Sequence, residues 1–538
     1  MQAFESRVNQ DAAEFKDNAA AMAGLVARLN ELQDRAVRAS SRARDLFDKR
    51  GQLLPRERLG LLLDPGTPFL ELMALAGFCG NEDPDPETSI PGAAVITGIG
   101  TVCGRRVAVS VSDSGIRAGA MQQFTSLKVM RCQEIALRNK LPFLQLVESG
   151  GGDLTTYRVE RFITAGAVFG NLARLSASGL PVITAVHGSS TAGGAYLPGL
   201  SDYVVMVRGR SRAFLAGPPL VKAATGEDAS EEELGGADMH GAVSGLADLV
   251  VEDDAQAIEA VRTIVATLAV VEPAARPASS APLLDAGQLL GIMPTDFRKP
   301  VDMREVVARL ADASELLEFR PDYGPHTVCL KARVEGHPTA FIANNGPLDP
   351  PGATKAAQFI QLCDQAGTPI VYLQNTTGFL VGRATEEAGM IKHGAKMIQA
   401  LTNAGVPQVT IMCGASFGAG NYGMCGRGMG PRFVFSWPNA RSAVMGGDQA
   451  ARTMAIVREA SAARRGVPVD AAALEREKRR VSDNIEQQAG AFHTSGLLLD
   501  DGVIDPRDTR AVLCLVLAVC REAAVRVTRP VQYGVARL

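Results

Sequence analysis

The residues that point most directly to chemistry are small ones. The stretch 188–195 reads GSSTAGGA and follows the apolar run PVITAVH at 181–187. Such a run offers no acid, base or cationic side chain, but it exposes backbone N–H groups. Glycine lets the backbone approach a ligand closely, and N–H groups at the start of a helix lack a partner within the helix. The run therefore predicts a turn that stabilises a developing oxyanion, such as an enolate, with backbone donors.

The same pattern occurs twice. With a shift of 226 positions, PVITAVHGSSTAGGAY lies on PQVTIMCGASFGAGNY, so that Gly188 falls on Gly414 and Gly194 on Gly420. With a shift of 227, Lys128 falls on Lys355. Strand, turn and preceding helix stay in step, which predicts two copies of one fold.

The glycine-rich turns have three other interpretations. The glycines of each turn would serve only close packing of a helix on a strand, and this alternative stays open. A nucleotide-binding loop is disfavoured, since neither turn contains the GxxxxGK[ST] spacing. Residues 418–423 read GAGNYG, but no GxGxxG opens the first βαβ unit, as a dinucleotide-binding fold requires. A serine nucleophile at Ser190 or Ser416 would need the GxSxG elbow, which neither serine has.

The elements around these turns alternate between helical and strand patterns. Residues 12–50 favour a long helix, 94–112 two β-rich runs joined through glycines, and 161–178 a helix before the strand at 181–187. Short apolar strands between helices predict an α/β fold with a largely parallel sheet built from βαβ crossovers. The Pro-, Ala- and Ser-rich stretch 271–285 is the predicted linker, which gives domains at 1–280 and 281–538.

Composition limits the class of protein. The 538 residues are 46% hydrophobic and 21% charged, with a net charge of −3, which gives no electrostatic reason to expect nucleic acid or an anionic membrane as a partner. The nine cysteines form no CxxC pair, which argues against a zinc ribbon, and no metal ligands are predicted. The N-terminal residues lack the apolar stretch of a signal peptide, and no apolar run reaches the length of about 20 residues that spans a bilayer. A cytoplasmic protein is predicted.

Several longer motifs carry a family resemblance. The stretches LLDPGTPFLEL, STAGGAYLPGLSDYVVMV, FLAGPPLVKAATGEDASEEELGGADMHGAVSGLAD and GASFGAGNYGM resemble the carboxyltransferase (β) subunit of biotin-dependent acyl-CoA carboxylases, over nearly the whole chain. The segment AGPPLVKAATGE is typical of the branch that acts on methylcrotonyl-CoA and geranyl-CoA. The resemblance implies two tandem crotonase-like (ClpP/crotonase) domains, a duplicated superhelical α/β fold.

The resemblance also implies roles for single residues. Gly193 and Gly194 would stabilise the dienolate of the acyl-CoA thioester, bound to the N-terminal domain. Ala419 and Gly420 would stabilise the biotin enolate left when carboxybiotin releases CO2 at the C-terminal domain. The second turn reads Gly-Ala-Gly where relatives often have Gly-Gly-Ala, so the donor pair there stays open.

Further residues are assigned to substrate binding. Ala192 lies in the first turn, and Ser149, Gly150 and Gly151 follow a predicted strand end, where they would border the thioester. His187 is assigned a structural role, because its counterpart in the repeat is Cys413.

Gly170 bears on the choice of acyl-CoA. In methylcrotonyl-CoA carboxylases the matching stretch resembles FGRIFYNQANMSA, which places an aromatic residue where this chain has Gly170. Loss of the ring would open the acyl pocket to a longer tail, which favours geranyl-CoA in acyclic terpenoid degradation. A packing glycine, with 3-methylcrotonyl-CoA of leucine degradation as the substrate, is the alternative.

The resemblance implies partners as well. The chain contains no Met-Lys-Met biotinylation site and no ATP-binding glycine-rich loop, so biotin and the biotin carboxylase would lie on a separate α subunit, in an α6β6 complex with a β6 core. The active site would lie between the N-terminal domain of one subunit and the C-terminal domain of another. A decarboxylase subunit of a sodium-pumping complex and a non-catalytic assembly scaffold are the remaining alternatives.

Overall fold

The computed structural model describes residues 2–80, 83–153, 157–270 and 277–535. The chain divides into two compact units. The N unit comprises Glu31–Ala274, Gly496–Leu498 and Ala518–Leu538, and the C unit comprises Met1–Asn30, Ala275–Ser495 and Leu499–Leu517. Each is described by itself.

The strands follow one another along the chain as β1 Gln2–Ala3, β2 Leu70–Leu72, β3 Val95–Val102, β4 Arg105–Ser112, β5 Phe143–Ser149, β6 Val182–Thr191, β7 Tyr203–Val207, β8 Arg212–Phe214, β9 Leu249–Val251, β10 Glu315–Glu318, β11 Thr327–Val334, β12 His337–Asn344, β13 Ile370–Thr376, β14 Gln408–Phe417, β15 Phe433–Ser436 and β16 Arg441–Ala443.

The helices are α1 Ala13–Ser41, α2 Arg44–Lys49, α3 Pro55–Leu62, α4 Gln123–Arg138, α5 Val159–Ala165, α6 Ala167–Ala177, α7 Tyr196–Gly199, α8 Pro218–Thr225, α9 Glu231–Gly235, α10 Ala237–Met239, α11 Asp254–Thr267, α12 Leu289–Ile292, α13 Met303–Ala308, α14 Pro350–Gln365, α15 Arg383–Glu387, α16 Met390–Asn403, α17 Gly420–Gly423, α18 Gly447–Arg465, α19 Ala471–Ala489, α20 Ala491–Gly496 and α21 Thr509–Val525.

The sheet of the N unit has the order β2-β3-β4-β5-β6-β7-β9, with β8 paired to β6. Strands β2 to β4 are antiparallel, whereas β4 to β7 and β9 are parallel, so the sheet is mixed rather than parallel throughout. The parallel register pairs Phe143 with Val182, and it shifts between Val147 and Ser149 at the end of β5. One face packs against α3 and α11 through residues such as Val109, Ile183 and Val261.

The sheet of the C unit repeats this plan in the order β1-β10-β11-β12-β13-β14-β15, with β16 paired to β14. The register pairs Ile370 with Gln408 and shifts between Gln374 and Thr376. These two residues match Val147 and Ser149 under the shift of 227, so the irregularity is duplicated with the strands. A core that includes Phe359 and Met397 packs α14 and α16 together.

Most predicted elements are present. The β-rich runs are β3 and β4, and the long N-terminal helix is α1 followed by α2. The predicted helix at 161–178 lies within α5 and α6, which meet at Gly166. Of the predicted linker 271–285, residues 271–276 lie outside the described residues, and 277–285 contain neither helix nor strand.

Neither compact unit is one continuous stretch of sequence, because each end of the chain belongs to the unit formed mainly by the other half. Strand β1 pairs with β10, which places the first residues in the C unit. The final residues lie in the N unit, where the Val531 N–H donates to the Ala177 carbonyl at 2.8 Å. The boundary at 280 stays a prediction for the two functional halves.

Candidate functional site

The first glycine-rich turn begins where β6 ends at Thr191. Ala192 has a φ of 52°, a left-handed conformation that few non-glycine residues adopt. Residues Ala192–Ala195 form a 3₁₀ turn that leads directly into α7. The Ser190 hydroxyl donates to the Gly194 carbonyl at 2.9 Å. This hydrogen bond stabilises the turn, and the backbone N–H groups of the turn lie at the start of helical structure.

The end of β5 lies beside this turn. The Ser149 hydroxyl donates to the Gly119 carbonyl at 2.9 Å and accepts from the Gly151 N–H at 3.2 Å. Gly151 has a φ of 89°, and a Cβ atom there would lie 3.3 Å from Thr191 Oγ1. A Cβ at Gly194 would lie 3.9 Å from the Ser149 Cβ. The structure thus brings together four predicted residues from two parts of the chain: Ser149, Gly151, Ala192 and Gly194.

The second turn begins with the same left-handed backbone conformation. Gly418, the counterpart of Ala192, has a φ of 55°, and α17 begins two residues later at Gly420. A Cβ at Gly420 would lie 2.8 Å from Gly378 Cα, so only glycine fits there without displacing backbone. The predicted Ala419 and Gly420 therefore occupy the positions that Gly193 and Gly194 occupy in the first turn.

A backbone hydrogen bond fixes the residues that follow the strand next to each turn. In the N unit the Met121 N–H donates to the Gly151 carbonyl at 2.8 Å. In the C unit the Leu348 N–H donates to the Gly378 carbonyl at 2.9 Å. Gly151 and Gly378 both have positive φ and are related by the shift of 227. Thr376 and Gly378 were not among the predicted site residues, although the same shift applied to Ser149 and Gly151 leads to them.

Gly170 lies on α6, and a Cβ there would lie 3.3 Å from Arg174 Nη1, the far end of a flexible and exposed side chain. Its neighbour Phe169 contacts the turn instead. A Cβ at Gly193 would lie 3.6 Å from Phe169 Cζ, and the Phe169 and Tyr196 rings have centroids 5.7 Å apart. An aromatic pair thus borders Gly193, which the sequence analysis did not identify, and the role of Gly170 stays a prediction.

A buried polar cluster lies behind the ends of β5 and β6. Arg58 donates from Nη1 to Glu148 at 2.8 Å and from Nε to Asp254 at 3.0 Å. His187 Nδ1 lies 2.9 Å from Asp254 Oδ1, which makes it the donor to an ionised carboxylate. Gln52 Nε2 donates to Glu148 Oε1 at 3.1 Å and to the His187 carbonyl at 2.9 Å.

The surroundings shift two pKa values in this cluster. Burial, and after it the positive charge of Arg58, lowers the pKa of His187, against the pull of Asp254. Burial acts to raise the pKa of Asp254, but the hydrogen bond from His187 and the charges of His187 and Arg58 outweigh it and lower the value to about 2. The cluster therefore holds a neutral imidazole beside an ionised aspartate at neutral pH.

An open cavity of about 670 Å³ in the N unit reaches these strand ends. Its lining includes Ser149, Gly150 and Ser189 together with two cationic residues, Arg50 and Arg210. The buried Nη1 of Arg210 has no hydrogen-bond partner. A charged, elongated ligand that passes Arg210 would come close to Ser149 and Gly150.

Neither turn contains a titratable side chain, since 188–195 reads GSSTAGGA and 414–420 reads GASFGAG. Across the described ranges, no group of three or more His, Cys, Asp or Glu side chains could hold a metal ion. Within those same ranges, no helix combines the length and the apolar character that crossing a membrane requires.

Comparisons with known proteins agree on one family. A family profile described as the carboxyl transferase domain matches residues 48–532. The chain is 46% identical over 538 residues to the probable biotin-dependent acyl-coenzyme A carboxylase beta2 subunit of Mycobacterium tuberculosis, covering 99% of this chain and 100% of that one. It is 45% identical over 524 residues to the biotin-dependent 3-methylcrotonyl-coenzyme A carboxylase beta1 subunit of the same organism, covering 96% and 97%. The crystal structure of the P. aeruginosa geranyl-CoA carboxylase beta subunit matches with a TM-score of 0.93 and 47% identity, covering 100% of both chains.

Proposed function

The chain belongs to the carboxyl transferase domain family, as a β subunit of the biotin-dependent acyl-CoA carboxylases, and on this basis we propose that it carboxylates geranyl-CoA at the γ carbon. The observation that carries the proposal is the pair of duplicated turns, each of which has a left-handed residue at or just before the start of helical structure. One turn serves the acceptor of the carboxyl group and the other serves its donor.

The first turn acts on the acyl-CoA. We assign the N–H groups of Gly193 and Gly194 to the thioester oxygen, on which negative charge grows when the γ-proton leaves. The Ser190 bond to the Gly194 carbonyl supports this assignment, because it holds the turn in place before substrate arrives. Preorganised donors of this kind are each worth about 3–4 kcal/mol of barrier lowering in other enzymes.

The second turn acts on biotin, which the partner α subunit carries. The residues fit such a group, because Gly418, Ala419 and Gly420 have small side chains or none, and Gly418 repeats the left-handed conformation of Ala192. Carboxybiotin supplies the carboxyl group and the base that accepts the substrate proton. Since neither turn carries a titratable side chain, the contribution of this chain is to donate hydrogen bonds, align the two reactants and exclude water.

The cavity of the N unit suits the CoA portion of the substrate. Arg50 and Arg210 line this cavity and would provide positive charge for its phosphates. Lys222, in contrast, pairs with Asp228 at 2.7 Å. From the cavity the pantetheine arm would reach Ser149, Gly150 and Gly151, next to the first turn.

Two observations support geranyl-CoA as the substrate. One is that a solved structure of a geranyl-CoA carboxylase beta subunit matches over 100% of this chain. The other is Gly170, which stands where the resemblance places an aromatic residue in methylcrotonyl-CoA carboxylases. The likeness to a 3-methylcrotonyl-CoA carboxylase beta1 subunit at 45% identity favours the shorter substrate as the second candidate.

We further propose a cytoplasmic complex in which six copies of this chain form the core and six biotin-carrying α subunits surround it. The absence of a biotinylation motif from this sequence supports a separate carrier. An active site shared between subunits would require the N unit of one copy and the C unit of another.

Substitution of Gly170 tests the choice of substrate. The chain and its biotin-bearing partner are assayed with ATP, bicarbonate, geranyl-CoA and 3-methylcrotonyl-CoA. We expect wild type to prefer geranyl-CoA, and Gly170→Phe to lower kcat/KM for geranyl-CoA by about tenfold or more while sparing the shorter substrate, because a ring refills the space of the longer tail.

Gly170→Ala is the matched control, since it adds only a methyl group next to Arg174. An unchanged ratio of kcat/KM values in Gly170→Phe would make Gly170 a packing residue. A folded complex without any carboxylation in wild type would instead support the scaffold alternative.

A further inference from the structure

The duplicated fold provides a comparison within one chain. The ion pair between Arg56 and Glu71 at 2.9 Å recurs in the C unit between Arg304 and Glu318 at 2.7 Å. Asp64, which accepts from two backbone N–H groups, recurs as Asp312. Arg56 and Arg304, like Asp64 and Asp312, are 248 positions apart, and the same shift places Arg58 on Val306.

Among the described residues of the C unit, the positions that match the buried cluster around Arg58 hold no charged side chain. The buried ion pair of α13, between Arg309 and Glu305 at 2.8 Å, lies at other positions. Glu148 falls on Asn375 and His187 on Cys413 under the shifts of 227 and 226. Asp253 and Asp505 both cap a helix, and the residues that follow them are Asp254 and Pro506. Four charged or titratable residues of the N unit are thus matched in the C unit by Val306, Asn375, Cys413 and Pro506.

This difference shows that the fold does not require the cluster. The C unit builds the same strands and the same turn with neutral residues at the matching positions. Burying charges is costly even when they are paired, and Arg58 Nη2 and His187 Nε2 are buried without a hydrogen-bond partner. Because only the N unit has these buried charges at the matching positions, we infer that the cluster serves a function that the N unit performs and the C unit does not.

The contacts of the cluster show that it fixes the ends of β5 and β6. Glu148 immediately precedes Ser149 at the end of β5, and a Cβ at Gly188 would lie 2.6 Å from Glu148 Oε1. Gln52 joins Glu148 to the His187 carbonyl, and His187 leads directly into the run that ends at the first turn. The two strand ends that flank the cavity are therefore fixed against each other by side chains.

We propose that Arg58, Glu148, His187 and Asp254 are positioning residues for the acyl-CoA half of the reaction. They hold the segment Ser149–Gly151 in register with the turn at Gly193 and Gly194, so that the backbone donors stay aligned when the CoA ester enters the cavity. This inference rests on the proposed function, because it assigns the acyl-CoA to the N unit.

The test exchanges the cluster for the residues of the C unit. Arg58→Val, Glu148→Asn and His187→Cys are combined with Asp254→Asn, which keeps an acceptor for the Leu53 N–H, and all four are made in the full complex. We expect an assembled enzyme in which kcat/KM for acyl-CoA falls by about tenfold or more. Discharge of carboxybiotin without acyl-CoA, which the proposed function assigns to the second turn, should stay within about twofold of wild type.

Cys413→Ser in the C unit is the matched control, and it should leave kcat/KM for acyl-CoA unchanged. The positioning role is overturned when the assembled exchange variant keeps wild-type kcat and KM for acyl-CoA, or when both partial reactions decline equally. If the fourfold variant does not assemble, the milder pair Arg58→Met and Glu148→Gln, read by kcat and KM separately, decides between the same outcomes. A wild-type complex that discharges carboxybiotin but binds no acyl-CoA would instead refute the proposed function.

Discussion

At the scale of single residues, the two turns respond differently to the same added methyl group. A Cβ at Gly194 meets its nearest neighbour, Ser190 Oγ, at 3.5 Å, whereas a Cβ at Gly420 lies 2.8 Å from the Gly378 Cα. Gly420→Ala must therefore displace the backbone of the second turn. Because displacement of about 1 Å can cost about a hundredfold in rate, we expect carboxybiotin discharge to fall by one to two orders of magnitude.

The control for this prediction is Ala419→Gly, which removes one methyl group and keeps the N–H. It should stay within about threefold of wild type in the same discharge assay. Normal discharge by Gly420→Ala would argue against a role of the second turn in binding biotin.

At the scale of secondary-structure elements, the cluster that links α3, β5, β6 and α11 predicts how stability depends on pH. The pKa of His187 is lowered in the folded protein, so the unfolded chain binds this proton more readily. Stability from His187 is therefore complete above its ordinary pKa of about 6.5 and declines as the pH falls below it. Asp254, with a pKa of about 2, contributes stability that is lost only below its ordinary value of about 3.9.

Calorimetry of wild type and His187→Cys between pH 7.5 and 5 would test this expectation. The melting temperature of wild type should fall by about 2 °C or more over this range, and that of the variant should fall less, although the variant is less stable throughout. His326→Gln, which alters an exposed histidine, controls for the number of histidines. Parallel pH profiles for wild type and His187→Cys would contradict the prediction.

The elements also show which features a sequence can predict. The repeat, its strands and both glycine-rich turns were predicted, because small residues and apolar alternation leave a local signal. The left-handed conformation of Ala192 was not, since nothing in the composition around an alanine indicates a positive φ. The Arg58 cluster was missed because its partners are far apart: Arg58 lies 90 positions from Glu148 and 196 from Asp254.

At the scale of the whole molecule, each end of the chain completes the unit formed by the opposite half of the sequence. In the C unit, the Ser6 hydroxyl and the Arg7 N–H both donate to Glu305 at 2.7 Å, next to the pairing of β1 with β10. We expect removal of residues 2–8 to speed amide hydrogen exchange in β10 and α13 by about tenfold or more, and to leave exchange in the N unit unchanged.

The reciprocal truncation provides the control. Lys140 Nζ donates to the Arg526 carbonyl at 3.0 Å, and the Val535 N–H donates to Ser176 Oγ at 3.0 Å, all within the N unit. Removal of residues 526–538 should therefore speed exchange in α6 and spare β10. Equal effects of both truncations on both units would show that stability is not divided in this way.

The duplicated turns also differ in how their shared backbone conformation is maintained. Ala192 and Gly418 have φ values of 52° and 55°, and this left-handed conformation costs a non-glycine residue about 1–2 kcal/mol, whereas glycine adopts it freely. The surrounding contacts must therefore supply this energy in the first turn, while the second turn needs no such support.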